Sequence, residues 1–297
     1  MRILRNPYLY LTLAMLLWSG NALMGRAVRV DISPLTLNAS RWVVALVVLS
    51  PALLGLWRRR AQWLPHWPLL LLLAVLGVTA FNALLYLALA RTTATNASLI
   101  YANVPVLVVP FAWWLTGEPV SPRQVLGIAV SLCGVVVIIT RGDPALLTRL
   151  EFNVGDLWAL ATVPVWALYT TLLRRRRDGL SPIHFLLLIT VVGLVPLLPA
   201  AWWEQTHGGH INLHAGSISI VLYLGLFASI AAYILWNVGT HEVGANRAGL
   251  FTHLYPVFTS ILAMLFLGER LFGYHLVGAI LVACGLYLTT VRRARRG

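Results

Sequence analysis

The sequence contains no lysine, since all 22 of its basic residues are arginines. Charged residues of both signs make up only 10% of the chain and hydrophobic residues 59%, whereas soluble domains carry about 25% charged residues. This balance excludes an ordinary soluble domain. The formal net charge of +13 does not indicate a nucleic-acid partner, because the arginines cluster between apolar runs rather than on a soluble basic surface.

Two further scarcities exclude particular kinds of site. The two cysteines, Cys133 and Cys284, fall inside apolar segments, which argues against a disulfide scaffold or a zinc site. We predict no metal and no cofactor. None of the nine acidic residues falls at the centre of an apolar segment, although exporters of cationic drugs usually need a buried carboxylate. The sequence therefore argues against cationic substrates and offers no obvious proton carrier.

Long apolar runs make up most of the chain. A transmembrane helix needs about 20 predominantly apolar residues. The first run resembles a signal peptide, but it is long enough to span and nine others follow, so we predict a retained helix. The predicted spans lie near residues 8–27, 34–57, 67–90, 94–116, 122–140, 155–174, 181–203, 217–240, 244–267 and 272–291.

The second half of the chain repeats the first at an offset of 151 positions. Pro105, Gly117-Glu118, Gly127 and Cys133-Gly134 recur as Pro256, Gly268-Glu269, Gly278 and Cys284-Gly285. The repeat predicts two five-helix units, 1–140 and 154–297, joined by an outer linker at 141–153. Because five is an odd number, the second unit enters the membrane from the opposite side. The predicted fold is an all-α membrane protein with ten transmembrane helices, arranged as two inverted five-helix repeats around a central cavity.

The arginines also predict an orientation. With the N-terminus in the cytoplasm, the inner segments hold fifteen arginines and the outer segments six, and Arg41 lies within a span. Cytoplasmic loops carry an excess of basic residues. We therefore expect both termini to be cytoplasmic.

Arg41 is a candidate substrate-binding residue because a charge two turns into the second span is expensive and should face protein or water. Asn38 shares its helix face. A guanidinium suits a substrate carboxylate. It could equally serve as a clamp that binds carbonyl groups of a neighbouring helix, and the sequence leaves both interpretations open.

Amides and aromatic rings recur at helical spacing in the other spans, a pattern typical of a cavity for a small amphiphilic molecule. Tryptophan and tyrosine also form interfacial belts, and asparagine also bonds across helices. A histidine in the ninth span could bind substrate, carry a proton, or simply bond a neighbouring helix in its neutral form. The candidate substrate-binding residues are Trp18, Asn21, Asn38, Arg41, Thr79, Asn82, Tyr86, Tyr101, Asn103, Trp166, Tyr169, Tyr233, Asn237 and His253.

The segments that close the two halves, PVLVVPFAWWLTGEPVSPRQVLGIAVSLCGVVVI and PVFTSILAMLFLGERLFGYHLVGAILVACGLYL, resemble the EamA-type domain of the drug/metabolite transporter superfamily. Their shared element is a Gly-Glu step followed by Gly-x6-Gly. Arg41-Trp42 resembles the Arg-aromatic pair of the family's second helix. Within the superfamily the chain is most similar to YddG-like amino-acid exporters. The resemblance implies that helices one to four and six to nine surround the cavity.

The resemblance further implies a bacterial inner-membrane exporter of amino acids, aromatic ones among them, that works by alternating access. The chain lacks the intramembrane glutamate of small multidrug exporters and the lysine of sugar-phosphate carriers, which favours neutral or zwitterionic cargo. Export of drugs or other small metabolites on the same fold is the alternative. The sequence has no H-E-x-x-H, no G-x-S-x-G and no paired intramembrane carboxylates, so we predict no enzyme. The expected partners are a small-molecule substrate and the lipid bilayer, with one chain sufficient for function.

Overall fold

A computed structural model of the protein describes residues 6–92, 97, 100–140, 142, 143, 145, 153–267 and 272–290. Their regular structure is helical, apart from one isolated antiparallel bridge between Ile32 and Ile211. The predicted all-α class is therefore confirmed. Gly268-Glu269 of the repeat and most of the predicted linker at 141–153 lie outside the described residues.

Ten helical stretches follow one another through the described residues, in the predicted order. The first five are α1 (Pro7–Ala27), α2 (Pro34–Arg58), α3 (Arg60–Arg91), α4 (Val104–Thr116) and α5 (Pro122–Ile139). The next three are α6 (Val154–Arg175), α7 (Pro182–Thr206) and α8 (Ala215–Val243). The ninth helix, α9, consists of Ala245–Leu250, a 3-10 turn at Phe251–His253, and Leu254–Leu267. The last is α10 (Gly273–Thr290). By length and composition, α2, α3, α6, α7 and α8 can cross a membrane, and α4, α5 and α10 are shorter apolar helices.

Local sequence explains several helix ends. Pro122 and Pro182 stand at the starts of α5 and α7, where a missing N–H costs little. In each case the hydroxyl oxygen of the preceding serine, Ser121 or Ser181, accepts a hydrogen bond from a backbone N–H of the first turn. That N–H would otherwise have no partner within the helix. Gly117 ends α4 with a left-handed backbone at φ 67°, a conformation that other residues rarely adopt.

The helices pack with a two-fold pseudo-symmetry that follows the sequence repeat. α1 packs against α8 and α9 in the same way that α6 packs against α3 and α4, while α2 packs on α7 and α5 on α10. Two hydrogen bonds join positions 151 apart: Asn82 Nδ2 to Tyr233 Oη at 2.9 Å, and His253 Nε2 to the Ala102 carbonyl oxygen at 2.9 Å. Only a two-fold axis brings equivalent positions into contact, so both bonds lie close to it.

The third helix of each half contains a π-helical stretch at an equivalent position. These stretches are Val75–Ala80 in α3 and Leu224–Ala231 in α8. A π turn widens the helix and is frequent at functional sites. The Gly77 carbonyl accepts from Asn82 Nδ2 at 2.9 Å, and the carbonyl of the equivalent Ala228 accepts from Trp18 Nε1 at 3.0 Å. The two stretches thus offer backbone acceptors to side chains in the centre of the bundle.

Carboxylates join the two halves at helix starts. Glu118, just after α4, accepts from the backbone N–H groups of Ala245 at 3.0 Å and Asn246 at 3.3 Å in the first turn of α9. Glu204 on α7 accepts from Thr36 N at 2.8 Å and Thr36 Oγ1 at 2.9 Å at the start of α2. The first N–H groups of a helix lack partners within it and favour negative charge. Each carboxylate therefore holds a helix of the opposite half.

The α5–α10 interface is built from the glycines of the repeat, paired crosswise. A Cβ added at Gly134 would lie 2.6 Å from the Gly278 carbonyl oxygen, and one added at Gly127 would lie 2.8 Å from the Gly285 carbonyl oxygen. Small residues at such positions let helix backbones approach closely. These two helices contribute none of the described cavity residues, which supports the interpretation that they form a scaffold.

We expect Gly134→Ala to destabilise the protein by about 1–3 kcal/mol, because the added methyl meets backbone that cannot move aside. Gly273→Ala at the start of α10 is the matched control, since no atom of the described residues lies within 4 Å of the added Cβ. Thermal unfolding in detergent, followed by tryptophan fluorescence, compares the two variants with the wild type. Equal stability of all three would contradict close backbone packing at this interface.

Candidate functional site

Side chains from both halves enclose a small cavity close to the two-fold axis. The volume that water centres can occupy in it is about 30 Å³, which is room for about two waters. Apolar walls with a few convergent polar groups are typical of a ligand site. The walls are formed by Trp18, Asn21, Ala22, Phe81, Asn82, Leu85, Leu89, Ala97, Tyr101, Tyr255 and Thr259.

Helical spacing explains why α1 and α3 supply most of these residues. Asn82, Leu85 and Leu89 are separated by three and four positions and therefore lie on one face of α3. Trp18, Asn21 and Ala22 lie on one face of α1 for the same reason. Tyr255 and Thr259, four positions apart, complete the wall from α9.

An aromatic cluster adjoins the cavity through the wall residues Trp18 and Phe81, and Trp166 is at its centre. Trp166 is fully buried. The centroid of its ring lies 4.4 Å from that of Phe81 and 5.0 Å from that of Tyr169. The ring of Trp18 meets it edge-on, at a centroid distance of 5.0 Å. Such pairs contribute about 0.5–1.5 kcal/mol each beyond the area that they bury. The cluster consists of Trp18, Trp42, Phe81, Trp166, Tyr169, Tyr233 and Trp236.

Arg41 connects this cluster to the polar cavity wall. Its side chain is completely buried, so it faces protein rather than lipid. Nε donates to Ser229 Oγ at 2.7 Å, and Nη1 donates to Tyr86 Oη at 2.7 Å, Asn21 Oδ1 at 3.1 Å and Asn82 Oδ1 at 3.2 Å. All four partners are neutral. Nη2 is buried without a hydrogen-bond partner among the described residues.

A buried charge without an ionic partner requires many well-oriented dipoles. Here four side-chain oxygens on α1, α3 and α8 supply them. Because a guanidinium only donates, Asn82 must turn its carbonyl oxygen towards Arg41. Its amino group then donates to the Gly77 carbonyl and to Tyr233 Oη, both at 2.9 Å. Arg41 therefore determines how the amides beside the cavity are oriented.

The structure divides the predicted site residues into groups at increasing distance from the cavity. Trp18, Asn21, Asn82 and Tyr101 line it. Behind them, in contact with those residues, lie Arg41, Tyr86, Trp166 and Tyr233.

Four other predicted residues bond within the bundle, away from the cavity walls. Tyr169 Oη donates to Asn237 Oδ1 at 2.8 Å. Asn38 Nδ2 donates to the Thr79 carbonyl oxygen at 3.4 Å, and Thr79 Oγ1 donates to the Gly193 carbonyl oxygen at 2.7 Å. These bonds hold α2, α3 and α7 together and α6 against α8.

His253 and Asn103 are not brought to the cavity. His253 is fully buried, with Nδ1 2.7 Å from Ser131 Oγ and Nε2 2.9 Å from the Ala102 carbonyl oxygen. A carbonyl can only accept, so Nε2 carries hydrogen, and a neutral ring takes its second bond from the serine hydroxyl. This geometry favours the helix-bonding interpretation. Asn103 is exposed and donates to the Ile100 carbonyl oxygen at 3.2 Å.

Several wall residues were missing from the sequence-based set. Leu85 and Leu89 could have been found, because they lie three and seven positions after Asn82. Ala22 and Ala97 carry no sequence signal, since an alanine in an apolar run looks alike at a cavity and at a helix contact. Ser229, which binds Arg41, also reads as an ordinary small residue of an apolar helix.

Comparison with known proteins adds a family to this geometry. The sequence model of the EamA-like transporter family matches residues 5–140 and 153–291. An uncharacterized transporter of Archaeoglobus fulgidus is 29% identical over 97% of this chain and 98% of its own length. A probable terminal-alkyne amino-acid exporter of Streptantibioticus cattleyicolor is 31% identical over 88% of this chain and 85% of its own. One solved crystal structure superposes with a TM-score of 0.77 at 22% identity, covering 96% of both chains, which supports the fold.

We expect Ser229→Ala to destabilise the protein by about 1–3 kcal/mol, because it leaves the buried Nε–H of Arg41 without an acceptor. Ser219→Ala on the same helix is the matched control. Its exposed hydroxyl donates to the Ala215 carbonyl of its own helix and to no other described residue, so its loss should change stability by less than about 0.5 kcal/mol. Unfolding in detergent measures both, and equal effects would contradict the dependence of Arg41 on Ser229.

Proposed function

Since this chain belongs to the EamA-like transporter family, we propose that it exports amino acids, aromatic ones among them, by alternating access. The chain is a multi-pass membrane protein that carries a small molecule, and it is a transporter rather than an enzyme. The finer assignment rests on one observation above all. Where the two halves meet, aromatic rings and amide groups line a cavity, and no described wall residue is acidic.

The chemistry of the walls suits an amino acid with an apolar side chain. Phe81 and Trp18 offer aromatic surface to an apolar or aromatic side chain. Asn21 and the hydroxyl groups of Tyr101 and Tyr255 offer polar contacts to the other end. The relative from Streptantibioticus cattleyicolor is named as a probable amino-acid exporter, which supports the same substrate class.

The size of the cavity supports a mechanism in which helices move. A cavity that holds about two waters is far too small for a tryptophan or even a leucine. Substrate entry therefore requires α1, α3 and α9 to separate. The π-helical stretch of α3 ends just before the wall residues Phe81 and Asn82, and the Ala228 carbonyl in that of α8 binds the wall residue Trp18. We infer that the helices bend at these stretches, because π turns are frequent at functional sites. The α5–α10 pair remains a fixed support.

In the proposed orientation the protein lies in a bacterial inner membrane with both termini in the cytoplasm, as the arginine distribution indicates. The cavity then extends from the aromatic cluster towards the outer end of α3, through Leu85 and Leu89. The cluster closes the path to the cytoplasm. The two units, 1–140 and 154–297, both contribute to the described walls of one cavity, which supports the proposal that a single chain is sufficient for transport.

Counterflow of labelled phenylalanine, tryptophan and leucine into proteoliposomes tests this proposal. We expect accumulation that does not depend on a pH gradient, because no acidic residue lines the described cavity. Failure of every amino acid to exchange, together with flux of dyes or drugs, would favour the alternative of a drug or metabolite exporter.

A matched pair of variants ties the flux to the cavity. Ala22→Phe should lower the counterflow by about tenfold or more, because overfilling a packed site costs about 1–3 kcal/mol. Leu13 lies on the same helix and has a relative exposure of 37%. The control variant Leu13→Phe should therefore transport like the wild type. Equal transport by both variants would show that the substrate takes another path.

A further inference from the structure

We propose that the cavity recognises the carboxylate of its substrate through neutral hydrogen-bond donors and provides no fixed partner for an ammonium group. This inference deepens the proposed function and rests on it. It extends the substrate class to apolar carboxylic acids that lack the α-amino group. It also assigns Asn21 as the carboxylate-binding residue and Arg41 as the residue that positions it.

The orientation of Asn21 carries the first step. Its Oδ1 accepts from Arg41 Nη1 at 3.1 Å and from Tyr86 Oη at 2.7 Å. Arginine has no acceptor, so the amide cannot be turned the other way round. Two donors already occupy the carbonyl oxygen. The amino group must therefore point away from Arg41, and Asn21 is part of the cavity wall.

The amino group of Asn21 consequently offers its hydrogens to the cavity, since no described residue accepts from it. Its donor strength is increased by the guanidinium behind it, because hydrogen bonds in a chain polarise one another in a low dielectric. A charge-assisted acceptor is the best match for such a donor. A carboxylate is the acceptor that an amino-acid substrate supplies.

Other polar groups of the wall add to the same donor set. Thr259 Oγ1 is buried without a hydrogen-bond partner among the described residues. The ring centroids of Tyr101 and Tyr255 lie 5.4 Å apart, and both residues line the cavity. A hydroxyl can donate to a carboxylate, and a buried hydroxyl that makes no bond is costly. Substrate binding would satisfy Thr259.

An ammonium group finds no comparable partner. None of the described wall residues is Asp or Glu, so a cation meets only hydroxyl oxygens and aromatic faces. The charge of Arg41, whose Nη1 is one hydrogen bond from the wall at Asn21, repels it. The cavity should therefore discriminate strongly against an amine without a carboxylate, and only weakly against a carboxylate without an amine.

Competition in phenylalanine counterflow tests this ranking with two matched analogues. 3-Phenylpropanoate lacks the amino group, and phenethylamine lacks the carboxylate. We expect 3-phenylpropanoate to inhibit within a few-fold of unlabelled phenylalanine. Phenethylamine should be weaker by about tenfold or more, because it loses a charge-assisted hydrogen bond.

Asn21→Asp tests the assigned residue, because it keeps the shape and turns the donor that faces the cavity into an acceptor. Inhibition by 3-phenylpropanoate should weaken by about tenfold or more, and inhibition by phenethylamine should become stronger. Asn103→Asp makes the same chemical change at an exposed position outside the cavity and should leave the ranking unchanged. Thr259→Val, which removes a donor at constant shape, should weaken the carboxylate competitor alone and serves if the first variant does not fold.

Thermal stabilisation of the purified wild-type protein by each analogue separates this inference from the proposed function. Stabilisation by 3-phenylpropanoate and not by phenethylamine supports the donor wall even where no amino acid exchanges, an outcome that would overturn only the export of amino acids. Equal stabilisation or equal inhibition by the two analogues overturns the inference. An unchanged ranking in Asn21→Asp overturns the role of Asn21.

Discussion

The centre of this protein depends on one buried charge. Arg41 lies in the middle of an apolar bundle with no acidic partner among the residues that bind it, and four neutral oxygens hold its guanidinium. A charge in that position is stable only when the surrounding dipoles are all correctly oriented. The requirement ties α1, α2, α3 and α8 together and sets the direction of each amide beside the cavity. Arg41 thus links four helices through its own hydrogen bonds, and in our proposal it also gives the cavity wall its donor character.

The α5–α10 pair and the centre of the bundle are packed in different ways. In the α5–α10 pair, glycines bring backbone against backbone, as in the contact between Gly134 and Gly278, and such packing leaves no space for rearrangement. Around the axis, π-helical stretches, aromatic rings and a nearly closed cavity take the place of regular packing. The carboxylate caps formed by Glu118 and Glu204 cross between the halves. They hold helix ends of the two halves together.

Much of the fold could be predicted from the sequence, whereas the site could be predicted only in part. Apolar runs, helix-starting prolines and the 151-residue offset sufficed for the helices and their pairing into repeats. Helical spacing also indicated the face of α3 on which Asn82 meets the cavity. Spacing does not tell whether a polar residue faces a cavity or a neighbouring helix. It therefore could not show that Asn38 and Asn237 bond within the bundle. Nor could spacing show that the ring of His253 bonds two neighbouring segments.

The sequence by itself determined that the chain is helical, embedded in a membrane, duplicated, and equipped with one costly arginine at its centre. These properties follow from composition and periodicity, which act locally along the chain. Only the tertiary structure decided that Arg41 binds Ser229, that Glu118 caps α9, and that Thr259 joins Asn21 in one wall. Those pairs lie far apart in sequence, and their contact depends on how the two halves are oriented about the axis. No local pattern contains that information.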